Sequence, residues 1–209
     1  MRRHSLLTAA LAVLLAALPA YTAVTKYDAD AAHSNVGFSI PILGGLSHVR
    51  GKFSDFAVTI TYDDKDVTKS TVRAVIKAAS IDTGIERRDA HLRTADFFEV
   101  EKYPEIIFES TRVEQKGKQL IAHGTFTMHG VSKEIALPFT INGVKQGADG
   151  KTTLGVTARA AVNRRDYGIN FARPDNPDFL GDLIEVELNV ITRAAAPQGA
   201  AAPTSATKQ

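Results

Sequence analysis

Residues 154–162 read LGVTARAAV, with an apolar side chain at every second position from Leu154 to Val162. A period of two residues is typical of a β-strand that has one dry face and one solvent-exposed face. The same alternation recurs in six other stretches. These are Val36, Phe38 and Ile40; Phe56, Val58 and Ile60; Val72, Ala74, Ile76 and Ala78; Leu120, Ala122, Gly124, Phe126 and Met128; Ile135, Leu137, Phe139 and Ile141; and Ile184, Val186, Leu188 and Val190. A further run, 106–113, is rich in β-forming residues but alternates less cleanly, so the sequence predicts eight strands.

Short turn-forming segments separate the later strands. They are Lys116–Gly117–Lys118, His129–Gly130, Asn142–Gly143 and Asp149–Gly150. Strands joined by such short links are antiparallel neighbours. Closing eight antiparallel strands into a barrel would remove the exposed edges that invite aggregation. The predicted fold is therefore all-β, an eight-stranded antiparallel barrel.

Two irregular segments interrupt the strands. Thr83 and Glu86 have the spacing of a capping box, which predicts a short helix from Ile85 to Asp96 between strands 3 and 4, with Thr83 as its N-cap. In that helix Ile85 and Leu92 would share one side while Arg87 faces water. The segment 164–182 contains two prolines and two glycines and is predicted to be a long loop before the last strand. Long ordered loops are often functional.

The two ends of the chain differ in composition from the strand-rich part. Residues 1–4 are basic and 6–18 are apolar, which is the layout of a secretory signal peptide over 1–23, with cleavage after Ala20 or Ala23. Residues 194–209, AAAPQGAAAPTSATKQ, have nothing to bury and are predicted to be a disordered tail. The remaining 24–193 is one domain. We expect an exported protein that resides in the periplasm.

Composition narrows the choice of partner. The chain has 25 Lys and Arg residues against 23 Asp and Glu, and two of the arginines lie in the predicted signal peptide, so the mature chain is close to neutral. A neutral chain without a basic cluster argues against nucleic acid as partner and against simple electrostatic adhesion to anionic membranes. With no cysteine there is neither a disulfide nor a lipoprotein anchor, and no stable membrane anchor is expected.

Sequence motifs for catalysis and for metal binding are weak. The histidines of the mature chain lack the spacing of metal ligands, and Asp89–Ala90–His91 is the nearest approach to a ligand cluster. The chain contains no Gly-x-Ser-x-Gly elbow and no phosphate-binding glycine loop. We therefore expect no metal, no cofactor and no catalysis. The alternative is an enzyme with His91 or Asp89 as base.

Two tripeptides repeat one charge pattern, Arg87–Arg88–Asp89 and Arg164–Arg165–Asp166. One interpretation is structural, with salt bridges that tie the helix and the long loop to the barrel. The other is that one arginine lies at the mouth of a cavity and binds an anionic head group. We expect Arg88 to act mainly on stability and Arg165 to combine both roles.

The apolar face predicted to point inward carries several small residues, such as Ala74, Ala122, Gly124 and Ala158. A small barrel can be filled by its own side chains or can hold a ligand, and small inward residues leave space for one. The predicted ligand-binding residues are Phe38, Ile40, Phe56, Ala74, Phe98, Phe108, Ala122, Gly124, Phe126, Phe139, Ala158, Arg165 and Phe171.

Several strings of residues resemble one known family. The segment Arg88–Asp89–Ala90–His91–Leu92, followed by 96–98 and 102–104, resembles the signature of the YceI-like family. Further segments also resemble that family and occur in the same order along the chain: 33–34, 49–53, 124–131, 165–168 and 180–182. The resemblance therefore covers nearly all of 26–193.

The resemblance implies an elongated, lipocalin-like barrel that binds a polyisoprenoid or similar long apolar lipid and is exported to the periplasm. It implies no catalytic motif. The function expected is that of a lipid carrier or sequestering protein, with a connection to stress. The second hypothesis is an enzyme that acts on a lipid-like substrate at the cavity mouth. The third is a folding or stress-protection module with an incidental cavity, and a homodimer is left open.

Overall fold

The strands pair in one closed ring. The computed structural model describes residues 24–194. It contains one α-helix over that range, α1 (Glu86–Leu92), and eleven strand segments. The segments are β1 (Val24–Ala29), β2 (Asn35–Ile42), β3 (Ser47–Phe53), β4 (Phe56–Asp63), β5 (Thr71–Lys77), β6 (Ile81–Asp82), β7 (Glu105–Lys116), β8 (Gln119–Met128), β9 (Val131–Gln146), β10 (Thr152–Asn163) and β11 (Leu183–Ala194).

The eleven segments build eight barrel strands, because three of the strands are interrupted. β1 and β2 lie end to end along β11. On their other side, β2 pairs with β3 and β1 pairs with β4. The next interrupted strand consists of β5, which pairs with β4, and β6, which pairs with β3. From β7 onward each strand pairs antiparallel with the next, and β11 closes the ring. The eight-stranded antiparallel barrel is confirmed, as are the helix between strands 3 and 4 and the long loop before the last strand.

The alternation read from the sequence sets which face is inside. On β10 the side chains of Leu154 and Ala158 are 0% and 7% exposed, whereas Arg159 points outward and its guanidinium lies 2.6 Å from Glu187 on β11. Successive residues of a strand face opposite sides, so one apolar register buries a whole strand face at once. The predicted inward positions of β9, β10 and β11 therefore all face the interior.

The structure also contains strand segments that the pattern did not indicate. β1 and β3 mix charged residues with apolar ones, and Gly51 interrupts the apolar face of β3. At the other end, β11 continues to Ala194, the first residue of the predicted tail, which pairs with Tyr27. The predicted signal peptide (1–23) and the rest of the predicted tail (195–209) lie outside the described residues.

The helix forms, but not by the predicted cap. α1 spans Glu86–Leu92 and its N-cap is Ile85, whose side chain is 53% exposed instead of sharing a buried side with Leu92. The Thr83 hydroxyl instead donates a hydrogen bond to Asp89, and the Thr83 backbone N–H donates to the same carboxylate at 3.0 Å. The capping-box prediction was wrong because Thr83 lies two residues before the N-cap. Instead of capping the helix, Thr83 donates its hydrogen bonds to the carboxylate of Asp89 inside the helix.

Gly124 has a structural role instead of the predicted role in the cavity. It faces Ser110 on β7, where the pairing of β7 with β8 shifts register between Ser110 and Arg112. A Cβ placed on Gly124 would overlap the carbonyl oxygen of Glu109 and lie 2.7 Å from the Ser110 Cα. The absence of a side chain thus allows the β7 backbone to approach at the bulge, a common reason for glycine in a strand.

We predict that Gly124→Ala lowers the free energy of unfolding by about 1–3 kcal/mol, the usual cost of overpacking, because the atoms in the way are backbone and cannot rotate aside. Gly155→Ala is the control, since a Cβ there would meet only side-chain atoms at 3.5 Å or more. Urea unfolding of both variants checks this prediction. Equal losses at the two glycines would contradict the explanation.

Candidate ligand cavity

The barrel encloses an apolar cavity of about 710 Å³. That volume lies within the roughly 300–1,000 Å³ typical of small-molecule sites. Strands from the whole circumference contribute to its wall, since the inward face of the sheet is apolar throughout. The predicted ligand-binding residues that line it are Phe38, Ile40, Ala74, Phe98, Phe108, Ala122, Phe126, Phe139, Ala158 and Phe171. Their contact with a ligand stays a prediction.

Three predicted site residues do not line the cavity. Phe56 is in phase with Val58 and Ile60 on β4, but at the start of the strand it packs into the core at the α1 end. Gly124 faces the β7 backbone. Arg165 points away from the cavity, and its Nε lies 2.7 Å from Asp182 Oδ2. The first two were assigned by alternation alone, which does not register strand ends or bulges.

The end of the barrel opposite α1 is packed shut. Leu154 and Thr192 are completely buried there, and the Thr192 hydroxyl donates to the Leu154 carbonyl at 2.9 Å. Tyr27 is 3% exposed and its hydroxyl is 3.1 Å from Thr152 Oγ1. Ser70 lines the cavity at this end, and its side-chain oxygen accepts from the Asp63 N–H. These contacts close the apolar cavity with satisfied polar groups.

At the other end, the α1 helix and the 164–182 loop fold over the barrel. The Phe97 and Phe171 rings stack with centroids 4.8 Å apart, and His91 contacts each of them edge-on at 5.1 Å. His91 Nε2 lies 2.7 Å from Asp96 Oδ2. Arg93 anchors the end of the helix by donating to the Ala79 carbonyl at 2.8 Å. The aromatic cluster thus joins helix and loop above the cavity.

The loop is held by Arg164, whose side chain is 1% exposed. Its guanidinium donates to the carbonyl oxygens of Ile169 and Phe171, both at 2.9 Å, and contacts Asp182 Oδ1 at 2.8 Å. Burial lowers the pKa of Arg164, and the Asp182 carboxylate opposes that shift, so the group stays charged. The structural interpretation therefore holds for this tripeptide, but its centre is Arg164 and the partner is Asp182. Asp166 instead lies 3.4 Å from Lys133.

The first arginine tripeptide is held by hydrogen bonds to Thr83. Asp89 is 4% exposed and, like Arg88, is bound to Thr83. The Arg88 guanidinium donates to the Thr83 hydroxyl at 2.7 Å and to its carbonyl at 2.8 Å. Arg88 therefore ties the start of α1 in place while its side chain still lines the cavity.

The mouth of the cavity lies between α1, β3 and the long loop. We use the term mouth for the lining residues that reach solvent there: Val49 of β3, Arg87, Arg88 and His91 of α1, and Arg173 and Phe179 of the loop. Arg173 is paired with Asp175 at 2.6 Å and stacks on Phe179 at 4.8 Å. Arg87 is exposed and makes no ion pair with any residue in 24–194. The mouth is thus cationic above an apolar interior.

Sequence reasoning missed Val49 and Arg87 as lining residues. Val49 entered the sequence analysis only within the 49–53 segment of the resemblance, and its alternation with Gly51 and Phe53 was the available signal. Arg87 was assigned to solvent on a longer helix, and it does reach solvent, but the short helix also brings it to the mouth. Across residues 24–194, no three His, Cys, Asp or Glu side chains gather in a way that could hold a metal ion.

A closed antiparallel barrel with an apolar interior and one polar mouth has the architecture of a protein that encloses small apolar molecules. Family membership agrees with the residues quoted above. The chain belongs to the YceI-like family, whose domain profile matches residues 27–192.

Curated relatives extend over most of the chain. A UPF0312 protein of Photorhabdus laumondii is 37% identical over 156 residues, which are 75% of this chain and 81% of that protein. Protein YceI of Escherichia coli O157:H7 is 35% identical over 157 residues, 75% of this chain and 82% of its own length.

Solved structures share the barrel. The YceI protein of Campylobacter jejuni is 31% identical, with a TM-score of 0.66, and the match covers 72% of this chain and 88% of that one. BcnA of Burkholderia cenocepacia has a TM-score of 0.69 at 18% identity, and the match covers 78% of this chain and 98% of that one. A polyisoprenoid-binding domain from Saccharophagus degradans has a TM-score of 0.59 at 15% identity, and the match covers 82% of this chain and 99% of that one. The latter two show the fold alone.

The helices between residues 24 and 194 are all too short to cross a membrane.

Proposed function

We propose that this protein binds a long apolar lipid, such as a polyisoprenoid, inside the barrel and carries or sequesters it, with a connection to envelope stress. The observation that supports this most strongly is the continuous apolar wall of a 710 Å³ cavity that is packed shut at one end. The Saccharophagus domain of the same fold is described as polyisoprenoid-binding. The predicted signal peptide supports a periplasmic location as part of the same proposal.

The energetics of such binding require few polar contacts. Each methylene transferred from water to the apolar interior contributes roughly 0.8 kcal/mol, so one five-carbon isoprene unit contributes up to about 4 kcal/mol before ordering costs. A few units thus suffice for tight binding. Specificity would then depend on chain length, since the closed end limits how much of a chain enters.

Binding explains the polar groups at the mouth better than catalysis does. Asp89, a candidate base, is buried and already accepts two hydrogen bonds from Thr83. His91, the other candidate, lies against Asp96 and two aromatic rings. Both residues are engaged in holding the helix and loop, so the proposal assigns them structural roles.

Native mass spectrometry of the protein purified from its own host tests the proposal. We expect a retained apolar lipid that organic extraction removes. Protein that carries no lipid, and that does not take up a prenyl lipid added in detergent at concentrations that saturate other carriers, would contradict it.

We further propose that Arg87 binds an anionic head group at the mouth, with Arg88 beside it. Arg87→Gln is predicted to weaken a phosphorylated prenyl lipid by about 1.5–3 kcal/mol, the contribution of a hydrogen bond to a charged group, and to leave an uncharged prenyl alcohol unaffected. Competition binding with the two lipids is the measurement. Arg165→Gln is the control, because its guanidinium contacts Asp182 away from the cavity. If Arg87→Gln keeps the same preference between the phosphorylated and the uncharged lipid, the head-group role is wrong and the cavity selects on the apolar chain alone.

A further inference from the structure

Large exposed apolar side chains concentrate at the mouth end of the barrel. Six of them occur among residues 24–194, and four lie at this end: Leu43, Leu46, Ile85 and Leu183. Leu46 is 88% exposed, which is nearly complete for a leucine. The other two, Val24 and Val144, lie at the closed end. Exposed apolar residues are unremarkable when scattered, but a group beside a cavity opening indicates a contact surface.

The hairpin between β2 and β3 projects two of these residues, Leu43 and the most exposed of the six, Leu46. Leu43, Gly44 and Gly45 have φ values of +54°, +65° and +93°, so three successive residues adopt left-handed backbone. That conformation is unfavourable for leucine and makes a tight tip. Leu43 and Leu46 flank the tip and both remain exposed. The chain thus accepts a strained leucine where a polar residue would suit solvent better.

A stripe of basic residues runs down β3 from this tip. His48, Arg50 and Lys52 are exposed on the outer face, while Val49 between them lines the cavity. None of the three forms an ion pair with a described residue, although Asp82 lies beside Lys52 in the adjoining strand and Glu185 lies two strands away. The near-neutral net charge argues against adhesion over the whole surface. The local charge at β3 is nevertheless uniformly basic.

Beyond the closed ring, strand pairing stops short of the mouth end beside this stripe. β3 pairs with β2 along its whole length, but on its other side only Lys52 and Phe53 pair, with β6. Residues 47–51 therefore form an unpaired strand edge that faces the start of α1. The mouth residues Val49 and Arg87 border this seam, so the seam is continuous with the cavity.

We propose that the tip formed by Leu43 and Leu46, together with the β3 stripe, docks the mouth onto the surface of a bilayer that contains anionic lipids, so that a lipid passes through the seam without crossing water. The proposal rests on the lipid-binding function above. Leucine side chains favour the interfacial region, and each basic residue near an anionic leaflet adds attraction that salt weakens. Exposed leucines beside the basic residues of β3 fit that surface.

Vesicle co-sedimentation tests docking separately from lipid retention. The probes are vesicles of phosphatidylcholine alone and of equal parts phosphatidylcholine and phosphatidylglycerol. We expect the unmodified protein to prefer the anionic vesicles. The double variant Leu43→Ser/Leu46→Ser should bind both vesicle types on the order of tenfold more weakly. The double variant Arg50→Ser/Lys52→Ser should lose on the order of tenfold for anionic vesicles only, and high salt should reproduce that loss.

Matched controls at the closed end are Val24→Ser/Val144→Ser, with exposures of 51% and 47%, and Lys118→Ser/Lys145→Ser. Equal effects of the control and mouth variants would overturn the proposal, as would absence of vesicle binding by the unmodified protein. Dimerisation that is lost in the leucine variant, without vesicle binding, would assign the surface to a second copy and also overturn it. Native mass spectrometry of every variant reports cavity lipid independently, so a failure of docking with lipid still retained leaves the proposed function intact.

Discussion

Replacing Arg164 with alanine is expected to lower the free energy of unfolding by about 3–5 kcal/mol, because it removes a buried guanidinium that several backbone carbonyl groups and a half-exposed carboxylate contact. The side chain is 1% exposed and sits on the Asp182 carboxylate. Its loss would also leave the carbonyl oxygens of Ile169, Phe171 and Gly181 without their donor. Each unsatisfied buried acceptor carries its own desolvation cost, so the loss is expected to lie toward the upper end. Urea denaturation measures it.

Arg165→Ala is the matched control for that substitution. Arg165 is the adjacent residue and contacts the same carboxylate, but its side chain is 43% exposed. Exposed ion pairs typically contribute less than about 1 kcal/mol. If the two variants lose equal stability, the assignment of Arg164 as the anchor of the loop is wrong.

Substituting Ala158 with phenylalanine is expected to abolish retention of a long lipid. Ala158 is 7% exposed on β10 and its methyl group faces the cavity. A phenyl ring there would project across the barrel toward the opposite wall and fill space that a chain must occupy. Native mass spectrometry should then find the variant without lipid, while thermal unfolding shows that the barrel survives with a cost of about 1–3 kcal/mol.

Ala161→Phe separates blocking of the cavity from a general effect of a larger side chain. Ala161 lies on the same strand, but it is exposed on the outer face. We expect this variant to keep both lipid and stability. Full retention of lipid in a folded Ala158→Phe variant would show that the ligand lies elsewhere.

The fold could be predicted because strand alternation is a local property of the sequence. On β10 and β11, every second residue from Leu154 to Val162 and from Ile184 to Val190 faces inward, as the spacing indicates. Closure into a ring followed from the short turns between strands. β3 was harder to predict because its outer residues are all basic and Gly51 breaks its inner face.

The site was predicted less well, because it depends on geometry that spacing does not carry. Gly124 has the right phase for the cavity, but a bulge on the neighbouring strand turns its position toward backbone. The choice between Arg164 and Arg165 depends on a 3₁₀ turn, Arg164–Tyr167, which buries the first arginine and exposes the second. Thr83 fitted a capping motif, yet the helix begins later. Each error involves a contact between segments that are adjacent in space or a backbone turn that composition leaves undetermined.

Closure of the ring has a consequence for biosynthesis. β1 and β2 find their neighbours β4 and β3 early, but their other edge pairs only with β11, the last strand to be made. The contact of Arg193 with Asp30 spans 163 positions of sequence. Pairings between residues this distant in sequence must overcome the entropy cost of loop closure before they contribute to stability, and they slow folding. A nascent chain that lacks residues 183–194 therefore has an open sheet, and the enclosed interior forms only once β11 has been made.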